Sequence, residues 1–158
     1  METAALVALP NAASLLTLAV VGRSRARACP PVPMQPPGYV FALVWPALYG
    51  LLGCAMGVLY TQGHGNVYVG APGLLVIALN SWYARNGVAC RPLEGLVSIV
   101  GVLALSAVVM AVVATRSVVA GAMLVPLVAW LCFACALTWQ AYIRHRMATH
   151  DHVRAQER

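Results

Sequence analysis

Between Pro36 and Tyr60 the chain reads PPGYVFALVWPALYGLLGCAMGVLY, and from Tyr39 onward it carries no charge. A helix that crosses a bilayer needs about 20 consecutive, mostly apolar residues, so Tyr39–Tyr60 is long enough for one span. The double proline disfavours helical geometry at the residue before it, which predicts an extended lead-in at Pro36 and Pro37. Within the span, Trp45, Tyr49, Leu52 and Met56 recur at helical spacing and share a face. Gly53 and Gly57 form a GxxxG that permits close helix approach, inside the chain or in a homodimer.

Four further segments follow the same rule: Ala4–Val21, Val67–Ala84, Gly95–Thr115 and Val118–Ile143. All charges of the chain, ten Arg, three Glu and one Asp, lie outside the five segments. Of the 158 residues 61% are apolar and 9% charged. Soluble domains carry about 25% charged residues, so soluble enzymes, disordered tails and disulfide scaffolds are excluded. Nucleic acid is not the expected partner of the +6 net charge, because the Arg sit between apolar runs rather than on one folded face. A strand-based barrel would show short alternating segments instead of these long runs. The predicted fold is an all-α membrane protein, a five-transmembrane-helix bundle in one domain over residues 1–158, with a basic tail at 144–158.

Arg116 and Ser117 alone separate the last two segments. Fused, they would make a helix about 73 Å long, more than twice the hydrocarbon thickness, so a tight hairpin is predicted there. With five spans, nine Arg fall on one side and only Arg116 on the other, which places the C-terminal tail in the cytosol. The first segment opens with Glu2 and has its Arg (Arg23, Arg25, Arg27) after the apolar run, which favours a retained span over a cleaved signal peptide.

The spans contain no Asp, Glu, Lys, Arg or His, the groups that mark proton relays and ion pathways. No catalytic residues and no metal site are expected; Cys132 and Cys135, one turn apart, read as small packing residues. What the spans hold is aromatic. Trp45 and Trp130 lie six and twelve residues inside their segments, deeper than an interfacial anchor needs, whereas Tyr39, Tyr60, Tyr83, Trp139 and Tyr142 sit near segment ends. Trp130, Ala134 and Leu137 share a helical face, and Asn80, followed by Trp82 and Tyr83, brings an amide that needs a partner. These residues read either as core packing or as the lining of a ligand site.

Pro36-Pro37-Gly38-Tyr39-Val40-Phe41, Val44-Trp45, Leu48-Tyr49 and Met56-Gly57 resemble the start of the second helix of the TspO/MBR family, the translocator proteins or peripheral-type benzodiazepine receptors. Leu79-Asn80 resembles the family's third-helix L-N. Val125-Pro126-Leu127, Ala129-Trp130, Phe133-Ala134 and Leu137-Thr138 resemble its fifth-helix motif. The chain departs from the family at Pro33-Met34-Gln35, where the Trp before the double proline is replaced, and at Tyr83-Ala84-Arg85-Asn86, which has no W-x-P-x-F-F.

The resemblance implies a five-helix bundle, often dimeric, that binds tetrapyrroles such as protoporphyrin IX and haem, sterols, and benzodiazepine-type drug-like ligands. It implies no required cofactor, the porphyrin or haem being a ligand. By position it assigns Trp45 and Trp130 as the pocket Trp pair, with Tyr49, Asn80, Trp82, Ala134 and Leu137 around them, and Arg85 or Arg91 near the propionates. Leu137, Tyr142 and Arg144 satisfy a sterol motif of the form L-x-Y-x-R. The membranes implied are the mitochondrial outer membrane and bacterial or other organelle membranes. Two other functions compete with binding: light-dependent porphyrin breakdown through the Trp pair, and a structural membrane protein with a vestigial site. Every buried candidate is a binding group rather than an acid, base or metal ligand, which favours binding over catalysis.

Overall fold

The computed structural model describes residues 8, 10–12, 15, 36–64, 66–89 and 92–156, without the side chains of 66–67, 80–89, 92 and 148–156. Four helices are described in full: α1 (Gly38–Thr61), α2 (Asn66–Ala89), α3 (Pro92–Ala114) and α4 (Val118–Gln156). They correspond to the second to fifth predicted segments, and the described positions of the first segment are helical too. The chain is an all-α helical bundle, mostly membrane-spanning.

Three helices contain stretches that clearly meet the length and polarity of a span: Tyr39–Thr61, Leu93–Ala114 and Val118–Met147. Of the third predicted segment, the residues described with their side chains form the apolar stretch Tyr68–Leu79, about 18 Å long.

Pro37 begins α1 with φ −56° and ψ 150°, the extended geometry anticipated from the double proline. At its other end α1 stops on Gly63, whose φ of +72° suits a residue without a Cβ. Gly63 N–H donates to the Tyr60 carbonyl (3.0 Å) and His64 N–H to that of Leu59 (3.1 Å), so two otherwise orphaned carbonyls are satisfied.

The helices form a ring in which α1 packs on α2, α2 on α3, α3 on α4 and α4 on α1; among the described residues no diagonal pair of helices brings Cα atoms within 8 Å. Leu52, Ala55, Leu59, Leu75, Ile99, Val113, Leu124 and Leu131 fill the interior. Tyr49, Leu52 and Met56 are buried, as the spacing along α1 requires, and so are Gly53 and Gly57, here within the chain. The fully buried Ser106 donates to the Val102 carbonyl (2.8 Å), so its hydroxyl is satisfied within α3. Pro10, in the first segment, is fully buried, and Asn11 Nδ2 lies 3.9 Å from where a Cβ on Gly50 would stand. Asn11 therefore lies against α1 at Gly50.

The hairpin predicted at Arg116 is present. Arg116 N–H (3.0 Å) and Ser117 N–H (2.9 Å) both donate to the Val113 carbonyl, and Gly121 N–H then donates to Ser117 (2.9 Å) as α4 begins. Arg116 Nη2 also donates to the Tyr68 hydroxyl (2.6 Å), with its Cζ 4.6 Å from the Tyr68 ring centroid. This clasp ties the hairpin to the first turn of α2, and His64 adds an edge contact to the same ring at 6.4 Å. It is solvent-exposed, and exposed pairs contribute little. Tyr68→Phe, which removes only the hydroxyl, is expected to cost less than about 1 kcal/mol of stability in detergent unfolding. A larger loss would mean that the clasp, rather than helix packing, holds this end of the bundle.

Candidate functional site: an aromatic seam between α1 and α4

Because α1 and α4 are adjacent in the ring, the aromatic faces of the two helices meet. Trp45, one turn before Tyr49, stacks obliquely on it with ring centroids 5.7 Å apart. Tyr49 is buried and Trp45 half-buried against the same core. On α4, Trp130 meets Phe41 of α1 in a T-shaped pair, with centroids 5.6 Å apart and an interplanar angle of 74°. Phe133 packs on its other side at 5.5 Å. Edge-to-face pairs at such separations add about 0.5–1.5 kcal/mol each beyond the area they bury.

The chain has only two Phe, and both touch Trp130. Sequence reasoning placed Phe41 and Phe133 in motifs without assigning them to the site. Their positions one helical turn before Trp45 and one turn after Trp130 were the available signal.

Trp130 has a further property. Its indole Nε1 is buried and, among the described residues, has no hydrogen-bond acceptor. A buried donor left unmade costs about 1–3 kcal/mol, and native structures tolerate few such groups without a reason. The N–H is thus available to an acceptor brought from outside the chain.

Of the other residues singled out, Ala134 and Leu137 are half-buried on the same face of α4 as Trp130. Thr138, where the family motif has Asn, donates its hydroxyl to the Ala134 carbonyl (2.8 Å), so it is satisfied within its own helix. The side chains of Asn80, Trp82, Arg85 and Arg91 lie outside the described residues. In the sterol motif, Leu137 and Arg144 are seven residues apart and share a face of α4, while Tyr142 lies well around the helix from both. Tyr39 and Trp139, read as interfacial anchors, are exposed, as is Tyr60 to a lesser degree.

Fold and site together define a multi-pass helical membrane protein with an aromatic seam between two neighbouring helices. A model of the TspO/MBR family matches residues 4–144, which takes in every described helix up to the end of the charge-free part of α4, and the chain belongs to that family. No curated protein matches it.

Proposed function

We propose that the chain binds tetrapyrroles, protoporphyrin IX and haem, along the α1–α4 seam, and that planar apolar ligands such as sterols or benzodiazepine-type compounds compete for the same surface. The observation that carries this reading is Trp130: a half-buried indole framed by both Phe, whose buried N–H lacks an acceptor among the described residues. A flat macrocycle gains from aromatic faces, and its peripheral oxygens supply the acceptor that the indole lacks. Family membership supports the ligand class. The role is non-covalent, as a receptor or transporter-like protein, since the groups gathered at the seam bind and orient but neither donate nor accept protons in catalysis. The excess of Arg on one side favours a cytosolic C-terminus.

The test is titration of the detergent-purified protein with protoporphyrin IX, followed by Trp fluorescence, in parallel with Trp45→Phe. Saturable quenching at micromolar ligand, weakened several-fold in the variant, is the expected result. Linear quenching, identical in both proteins, would mean that the helices persist without a ligand site.

A further inference from the structure

We infer that the C-terminal end of α4 holds the phosphate of an anionic phospholipid from the surrounding bilayer, on a stripe formed by Trp139, Tyr142 and Arg146. The three residues follow i, i+3, i+7 spacing and so lie on one face of the helix. The structure stacks them in order: Trp139 on Tyr142 with ring centroids 5.8 Å apart, and Arg146 over the Tyr142 ring, its Cζ 5.9 Å from the centroid. Trp139 is 52% exposed, which leaves this end of the stripe open to the surroundings of the protein.

Height along the helix argues for a lipid. The charge-free run of α4 ends at Ile143, and Arg146, near the end of the span, follows about 4.5 Å further out, within the headgroup layer that flanks the hydrocarbon by roughly 5–7 Å on each side. The aromatic pair then sits at the boundary, where indole and phenol rings favour the headgroup level, and the guanidinium sits beside the phosphates. α4 does not turn away after the boundary but continues as one helix to Gln156, so Arg146 is held on a rigid element. Arg144 is exposed beside it and adds to the positive character of this end. An inorganic anion would be served by the guanidinium alone; the aromatic body beneath it is what a phospholipid, with its acyl chains and glycerol, fits. Arg116 makes the contrast: it sits in the α3–α4 hairpin, and its guanidinium is already engaged by the hydroxyl and ring of Tyr68.

The experiment uses the full chain in detergent supplemented with phosphatidylglycerol or phosphatidylcholine, with retained lipids counted by native mass spectrometry. The wild type is expected to retain phosphatidylglycerol preferentially, and Arg146→Gln to lose about fivefold of that preference, the worth of one basic residue near an anionic surface. Trp139→Ala is expected to lower retention of both lipids, and Arg116→Gln to change neither. Unfolding midpoints in phosphatidylcholine that match the wild type establish that Arg146→Gln is folded. An undiminished preference in Arg146→Gln, an equal loss in Arg116→Gln, or displacement of the lipid by millimolar inorganic phosphate would each overturn the inference, the last by showing a site for free anions.

Discussion

Gly121→Ala is expected to destabilise the bundle, although alanine is the better helix former. A Cβ at position 121 would stand 2.7 Å from Ala114 Cβ, 2.9 Å from Ala114 Cα and 3.3 Å from its amide nitrogen. Two of these three atoms belong to backbone, across a turn of three residues, so neither helix can give way without opening the hairpin. The opposing gain is about 1 kcal/mol from replacing a helical glycine. Overpacking a tight site costs about 1–3 kcal/mol and more where backbone must move, so the clash outweighs the propensity gain. A net loss of about 1–2 kcal/mol is expected in denaturant or thermal unfolding of the solubilised protein. Gly101→Ala serves as the comparison, because nothing stands within 4 Å of its Cβ position, and it is expected to be neutral or slightly stabilising. Equal stability of the two variants would show that the α3–α4 approach is looser than these distances.

Trp130→Ala is expected to have the largest effect on ligand binding. It removes the shared partner of Phe41 and Phe133, the ring a macrocycle would stack on and the N–H that awaits an acceptor. One lost stacking contact and one lost hydrogen bond, at roughly 1 kcal/mol each, weaken protoporphyrin IX binding by at least about tenfold, since 1.4 kcal/mol is a decade in Kd. Trp130→Phe retains a ring and loses only the N–H, so a loss of a few-fold is expected. Phe41→Ala leaves the indole in place but frees its orientation, and should fall between wild type and Trp130→Ala. Equilibrium titrations beside helicity and unfolding midpoints separate lost binding from lost packing. An unchanged Kd in a folded Trp130→Ala would remove Trp130 from the site.

Much of this architecture was legible in the chain because it follows from charge and length. Arg116 had to end a helix that would otherwise outrun the bilayer, and Pro36-Pro37 had to delay the start of α1; both are found. Burial of Tyr49, Leu52 and Met56 followed from period alone. The interior contacts were less accessible. Nothing in spacing distinguishes Gly121 from the other twelve glycines, because close approach is a property of two helices and not of one. Asn11 is found beside Gly50, where a missing side chain leaves room for an amide, a contact that no spacing in the first segment signals. The depth of Trp45 and Trp130 marked them as core packing or the lining of a ligand site, yet the contact of Phe41 with Trp130 depends on how far α1 slides along α4, which no local pattern encodes. The length of α4 was underestimated for a similar reason: the predicted span ended where charge began, but a helix continues through polar residues once it leaves the hydrocarbon.

The site itself is tested most directly by the indole N–H spectrum of the ¹⁵N-labelled protein in detergent micelles, titrated with protoporphyrin IX and assigned through single Trp→Phe variants. The ring current of a porphyrin falls steeply with distance, so the signals report where the ligand sits. The Trp130 and Trp45 signals are expected to move saturably and together, with Trp130 showing the largest shift, while Trp139, exposed at the far end of α4, stays in place. Movement of Trp139 with Trp130 and Trp45 unmoved would contradict the account and place the ligand on the lipid-facing surface instead.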